Sequence, residues 1–385
     1  MFTGIDRLIS ENFAMVKNKN IALLTNIAAT DCKLRPTIYH FIDCKKINLK
    51  FIFAPEHGLF SALQDQIYVK NHKQERIPVL SLYSKKLVPQ FNILKEIDAL
   101  VVDLIDIGTR YYTFTWSALL LLKELARLKK KMVILDRPNP LNGLAVQGPV
   151  LEEKFLSFVG LYSIPVRHGL TIGEICNMIN IEENIGADLE IIKIEGWKRK
   201  FYFPDCSLKW TVPSPNMPSF ETALVYPGMC LLEGTNVSEG RGTTRPFEIF
   251  GAPWIKEEKL VKELNRKNIM GVEFRPLKFI PTFHKYCGKI CGGAQIYVND
   301  LMNFDPVCAG LEIIATIKNL YPKKFTWRKP PYEFEKKKMP FDILIGNSWI
   351  RKAIEKGESV DSMKKRWEKD LRDFIKKRER YLLYE

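Results

Sequence analysis

Four short stretches of this chain set carboxylates, arginines and histidines beside glycine or proline. Pro55-Glu56-His57-Gly58 follows the apolar run Leu49–Ala54, and Asp103-Leu104-Ile105-Asp106-Ile107-Gly108-Thr109-Arg110 follows Ala99–Val102. Asp136-Arg137-Pro138-Asn139-Pro140 follows Met132–Leu135, and Ser238-Glu239-Gly240-Arg241-Gly242-Thr243-Thr244-Arg245 is a glycine-rich stretch of its own. Charged residues beside chain-bending ones at strand ends are how an open α/β sheet builds its ligand crevice. The pattern points to an enzyme.

Glu56 is the leading candidate for chemistry. A carboxyl group at the end of a buried strand, partly withdrawn from water, suits a general acid. Its plain alternative is a hydrogen bond that fixes a loop. Asp103 and Asp106 follow the next such strand, so one of them could face Glu56 across a crevice. Alternation along extended chain sends the two to different sides, and Asp106 lies farther out, beside Gly108 and Arg110. Two carboxyls with different environments are the usual equipment for cleaving a glycosidic bond. Arg110, Arg167, Arg241 and Arg245 are possible anion clamps, because guanidinium grips a carboxylate with two parallel bonds. Each alone could equally be a structural ion pair. His168 could act as acid, base or orienting donor, or be structural. The chain has neither a Gly-x-Ser-x-Gly elbow nor a P-loop, which removes the usual marks of serine hydrolases and nucleotide hydrolases.

The elements that must position these residues are legible as periodicity. Ile21–Thr25, Leu49–Ala54, Ile77–Tyr83, Ala99–Val102, Met132–Asp136 and Leu189–Ile194 read as strands. Helices are expected over Thr37–Asp43, over Ser117–Lys129 with Leu119, Leu120, Leu122, Leu125 and Leu128 inward, and from Thr171, whose partner Glu174 completes a capping box. Apolar strands alternating with helices imply a mostly parallel, Rossmann-like α/β sheet. The turn after the first strand, Asn26-Ile27-Ala28-Ala29-Thr30, lacks the dinucleotide fingerprint. Pro213-Ser214-Pro215-Asn216-Met217-Pro218 cannot be regular structure and reads as the wall of a site. From about Ile255 a second unit is expected: helix Glu257–Asn268, strands Val272–Leu277 and Gly293–Val298, helix Pro306–Asn319 and two C-terminal helices. The expected division is therefore a catalytic domain, 1–254, and a smaller α/β domain, 255–385. Met363, Trp367, Leu371 and Phe374 form a core-facing stripe in the last helix.

Composition narrows the classes further. The chain has 385 residues, is 46% hydrophobic and carries a net charge of +15. Residues 322–385 hold 19 Lys/Arg against 11 Asp/Glu, so a surplus of 8 sits in one solvated helical stretch. Such a balance speaks to solubility and to general attraction for anions; we expect no nucleic-acid partner. No apolar stretch approaches the length of a membrane span, and Met1-Phe2-Thr3-Gly4-Ile5-Asp6-Arg7 is not a secretion signal. A cytoplasmic location is expected, or export if a leader has been trimmed away. The eight cysteines form no CxxC pair; Cys287 and Cys291, near His284, are too few ligands for zinc, and no metal is expected.

Taken in order, the motifs resemble one family, the exo-β-N-acetylmuramidases of the NamZ type. The resemblance rests on Pro55–Gly58, Ser81-Leu82-Tyr83, Asp106–Thr113, Leu135–Pro140 and Pro165-Val166-Arg167-His168-Gly169. It continues through Pro213–Pro218, Tyr226-Pro227-Gly228, Glu233-Gly234-Thr235-Asn236, Ser238–Phe247, Phe341-Asp342 and Tyr381-Leu382-Leu383-Tyr384. It implies a Rossmann-like catalytic domain, a smaller C-terminal α/β domain, a cleft between them, and no cofactor. It implies a glycoside hydrolase that removes N-acetylmuramic acid from the non-reducing end of peptidoglycan-derived glycans, and the family's catalytic glutamate falls on Glu56. We expect Glu56 to protonate the leaving oxygen and then activate water, with Asp106 stabilising or attacking the sugar. His57, Arg110, Tyr111, Arg167, His168, Asn216, Glu239 and Arg241 are expected to line the sugar site, Arg110 and Arg241 holding the lactyl group. The chain departs from the family at Ile105, where a glutamine commonly precedes the aspartate. An esterase or phosphoesterase using the same cleft and a muramyl-sugar-binding module without activity are the alternatives. Oligomeric state stays open.

Overall fold

The computed structural model describes residues 1–64, 67, 70–83 and 87–385. Its strands are β1 (Asn20–Thr25), β2 (Asn48–Ala54), β3 (His72–Gln74), β4 (Ile77–Ser81), β5 (Ala99–Asp103), β6 (Lys131–Leu135), β7 (Gln147–Val150), β8 (Pro165–Arg167), β9 (Leu189–Ile192), β10 (Ile249–Ala252), β11 (Val272–Phe279) and β12 (Cys291–Val298). Seven of them form one sheet in the order β3-β4-β2-β1-β5-β6-β9. All pairings are parallel except that of the edge strand β3 with β4. The doubly wound sheet expected from the alternation is therefore present.

The reason is visible in how the strands split their side chains. Ala22, Leu24, Leu100, Val102, Met132 and Ile134 enter one core, and Ile21, Leu23, Ala99, Val101, Val133 and Leu135 enter the other. Successive residues of a strand point to opposite faces, so strands apolar throughout need cover on both sides. Phe114–Leu128 covers the first face, slightly longer than expected, with Leu121 inside and Leu120 and Leu128 only half-buried. Near the sheet centre, β2 lies on one side of β1 and β5 on the other. The loops leaving these strands diverge there and open a crevice at their carboxyl ends.

The rest of the chain completes the large core. An antiparallel sheet, β10-β12-β11, packs with helices Glu257–Arg266 and Pro306–Leu320. Helix Phe220–Met229, which contains Pro227, crosses helix Pro306–Leu320 at two glycines. A Cβ at Gly228 would lie 1.8 Å from the Pro306 carbonyl oxygen, and one at Gly310 would lie 2.4 Å from the Gly228 oxygen. Three C-terminal helices follow, not two: Pro340–Ile345, Trp349–Lys356 and Val360–Arg378. Met363, Trp367 and Phe374 of the last are buried, and Leu371 of the same stripe is half-buried. That helix returns to the first sheet. Arg378 Nη1 donates to the carbonyls of Gly143, His168 and Gly169 at 3.0–3.1 Å, and the Tyr384 hydroxyl donates to Asp136 at 2.5 Å.

Candidate active site

Glu56 lies two residues past the end of β2 and is 6% exposed. His57 (φ +70°) and Gly58 (φ +79°) are both left-handed, so the chain reverses at once and leaves the Glu56 side chain at the sheet's end. One Glu56 oxygen accepts from Thr113 Oγ1 at 2.6 Å, at the start of helix Phe114–Leu128. His57 Nδ1 meets the Leu63 carbonyl at 2.7 Å. A bond to a carbonyl places a proton on Nδ1.

These residues open into a cavity whose walls come from both ends of the chain. Tyr111, Tyr112 and Thr113 stand beside Glu56 and His57, and Ser214, Asn216 and Met217 of the proline-rich loop form a second wall. That loop is held by Asn26 Nδ2 on the Pro213 carbonyl (3.1 Å) and by Trp210 Nε1 on the Met217 carbonyl (3.0 Å). The far wall is Tyr226, Glu233, Arg241, Phe247, Tyr332 and Glu333. Glu233 accepts from Arg241 (2.8 Å) and from the Tyr332 hydroxyl (2.7 Å), and the Arg241 guanidinium lies over the Phe247 ring at 5.0 Å. The buried Tyr112 hydroxyl, beside Ser214, makes no well-formed hydrogen bond. A buried polar group of this kind is costly and is a natural donor for a bound ligand.

Of the residues expected to bind or act, Glu56, His57, Tyr111, Asn216 and Arg241 meet at this cavity. Tyr111 supplies a ring face, because its hydroxyl is spent on the Pro227 carbonyl, and Asn216 donates to Gln64 at 2.6 Å. The others are elsewhere. Arg110 is 1% exposed and gives its guanidinium protons to the carbonyls of Pro149 (3.2 Å), Ile164 (2.9 Å) and Leu344 (2.6 Å). It is an internal strut, not a clamp. Burial pushes its pKa down to about 10. Arg167 is likewise buried, bonded to Gln147 at 2.8 Å and to the Leu141 carbonyl. His168 accepts from the Leu170 amide at 3.1 Å. Burial, and then Arg378, Arg110 and Arg167, hold its pKa at about 3, so the ring is neutral.

Asp106 is also displaced from its expected place. It lines a neighbouring crevice with Ile105, Arg137 and Pro138, and is absent from the walls around Glu56. Its carboxyl takes the Gly108 amide (2.7 Å) and Thr115 Oγ1 (3.3 Å), and burial pushes its pKa up to about 7. Asp103, the other possibility, is gripped by Arg137 at 2.5 and 2.8 Å. Glu239 sits behind Arg241 with Lys285 at 2.8 Å, His284 at 3.0 Å and Arg241 Nε at 3.5 Å. Burial alone would raise its pKa; Lys285, His284 and Arg241 outweigh that and hold it well below the carboxylate range. His284 therefore turns to Glu239, away from a thiol site with Cys287 and Cys291. Arg245 pairs with Glu248 at 2.8 Å and is exposed.

Tyr83, Tyr112, Thr113, Tyr226, Glu233, Tyr332 and Glu333 were not singled out as site residues from sequence. Five of the seven lie inside or beside motifs already marked. Only Tyr332-Glu333 does not, and its signal is the loop-forming Pro330-Pro331 pair just before it.

Comparison with known proteins settles the relationship. Residues 21–221 match the family model described as exo-beta-N-acetylmuramidase NamZ, N-terminal, and residues 224–384 match its C-terminal counterpart. The chain belongs to the NamZ family. It is 42% identical to the peptidoglycan beta-N-acetylmuramidase NamZ of Bacillus subtilis strain 168, over 99% of this chain and 91% of that protein. A DUF1343 family protein of Bacteroides fragilis NCTC 9343 superposes with a TM-score of 0.90 at 31% identity, covering 100% of this chain and 99% of the other. A second protein of that family and strain gives 0.76 at 29% identity, with the same coverage. In this NamZ chain the segment matched by the N-terminal model supplies Glu56, Tyr112 and Asn216, and the C-terminal one supplies Glu233, Arg241 and Glu333.

Proposed function

We propose that this chain hydrolyses the β-glycosidic bond of a non-reducing-end N-acetylmuramic acid in peptidoglycan fragments, with Glu56 as its acid–base residue. It is a glycoside hydrolase of the NamZ type. The observation that carries the assignment of Glu56 is its placement: a buried carboxyl at a strand end, braced by Thr113 and opening into the cavity built by both halves. In this reading Glu56 gives its proton to the departing glycosidic oxygen as the C1–O bond breaks, and then takes a proton from the attacking water. The Tyr112 hydroxyl and Ser214 meet the polar groups of the sugar ring. Arg241 is the one guanidinium among the described residues lining the cavity, and it faces the lactyl carboxylate. Glu239 and Glu233 hold it in place from behind.

Release of nitrophenol from a para-nitrophenyl β-N-acetylmuraminide, with the matching N-acetylglucosaminide as control, tests the reading. Turnover of the muraminide alone is expected. Binding without turnover would indicate a muramyl-sugar-binding module, and metal-dependent cleavage of phosphate esters would indicate a different hydrolase.

A further inference from the structure

A tyrosine hydroxyl stands between two carboxylates at the cavity, and each comes from a different half of the chain. Tyr83, just after β4, donates to Glu333 Oε2 at 2.7 Å. The same hydroxyl lies within hydrogen-bonding reach of Glu56. Burial first, then Glu56 and Glu333, push the Tyr83 phenol well above its ordinary range, so it stays a proton carrier throughout. Glu333 is the first residue after the buried Tyr332 and has φ +51°, a left-handed conformation uncommon outside glycine and asparagine. Its backbone is fixed on both sides, because Tyr332 and Glu335 exchange backbone hydrogen bonds at 2.9–3.0 Å. The Tyr83 ring is fixed as well, packed against Phe158 and Phe334 at 6.0 and 5.5 Å between centroids.

We infer that Glu333 is a positioning residue for the acid step, acting on Glu56 through the Tyr83 hydroxyl. The inference rests on the assignment of Glu56 as the proton donor. Tyr83 has one proton to offer. While Glu56 still carries its own proton, Tyr83 points to Glu333 and its oxygen can accept from Glu56. Once Glu56 has passed that proton to the glycosidic oxygen and the C1–O bond has broken, Glu56 is anionic, and the Tyr83 proton can turn to it. No net proton is consumed in the exchange. Glu333 is thus the resting partner that keeps the phenol oriented, and it comes from the loop that closes the cavity from the C-terminal half.

The test compares two leaving groups. Nitrophenolate departs with little need of a proton, whereas a sugar hydroxyl needs one, so loss of acid function falls mainly on the sugar. Glu333→Gln and Tyr83→Phe should each lower kcat/KM for a β-N-acetylmuramyl-N-acetylglucosamine disaccharide by about 10- to 100-fold, the scale of a misaligned catalytic group. On the nitrophenyl muraminide the same variants should lose less than about 5-fold. Glu333→Asp, which keeps the charge, should recover part of the loss. Circular dichroism and thermal melts establish that each variant is folded, and Tyr83→Phe keeps the test alive if Glu333→Gln does not fold. Equal losses on both substrates, or no loss on either, would overturn the inference and leave Glu56 as acid. A wild-type protein inert on both substrates would instead remove the proposed function, and this inference with it.

Discussion

At the scale of single residues, burial separates the acting groups from the supporting ones. Glu56→Gln should cut kcat/KM on the muramyl disaccharide by about 10²- to 10⁴-fold, the range for loss of a general acid–base. Asp106→Asn should keep most of its turnover, since Asp106 lines the neighbouring crevice and its carboxyl is held by the Gly108 amide and Thr115. Its effect should show in stability. The Asp106 pKa rises in the fold to about 7, from an ordinary 3.8. The folded value is the higher one, so its contribution is fully present below about pH 4 and is lost as pH rises through about 7. Thermal melts of Asp106→Asn and wild type should therefore converge at pH 4, with the variant melting higher at pH 8. Tyr112→Phe removes a hydroxyl that has no good internal bond. It should leave the melting temperature unchanged or slightly raised and raise KM for the muraminide roughly 2- to 10-fold, the worth of one hydrogen bond. An unchanged KM would remove Tyr112 from the sugar site.

At the scale of elements, the cavity depends on a helix crossing that the binary pattern does not announce. Helix Phe220–Met229 carries Tyr226, and the 3₁₀ turn Cys230–Gly234 that follows carries Glu233. Their depth is set by Gly228 meeting Gly310 of helix Pro306–Leu320. Gly310→Ala must separate the two helices. The expected cost is about 1–3 kcal/mol, the usual penalty of overpacking, read as a lowered melting temperature. Activity should fall with it, because Glu233 and Tyr226 move away from Glu56. A Gly310→Ala protein with wild-type melting and turnover would show that the crossing has slack.

At the scale of the whole molecule, the C-terminus works as a clasp on the first sheet. Asp136, at the end of β6, accepts from Thr171 Oγ1 (2.6 Å), the Gly173 amide (3.0 Å) and Tyr384 (2.5 Å). Burial pushes its pKa up to about 6, and the hydrogen bonds from Thr171, Tyr384 and Gly173 oppose that rise. Tyr384→Phe removes one donor from the charged form, so the Asp136 pKa climbs further and the added loss of stability appears above about pH 6. The variant should lose about 1.5–3 kcal/mol at pH 8, as for a bond to a charged acceptor, and about 1 kcal/mol at pH 5. Urea melts at the two pH values measure both. Equal losses would mean that the tail is held by packing alone.

The alternation of apolar runs and helices was enough to determine the parallel sheet, because a strand buried on both faces has no other way to hide its side chains. Sequence also placed Glu56 at a strand end and marked the proline-rich wall, since both follow from local backbone rules. It could not divide the arginines. Arg110 and Arg241 read alike as guanidinium near glycine, yet Arg110 spends its protons on three carbonyls and Arg241 reaches the cavity. That difference depends on which carbonyls other segments bring within hydrogen-bonding distance, and no local pattern encodes it. For the same reason Asp106 looked like the partner of Glu56, while the carboxylates that share its cavity, Glu233 and Glu333, come from beyond residue 230. Backbone rules are local and can be read along the chain; the company a buried charge keeps is decided only when distant segments close around it.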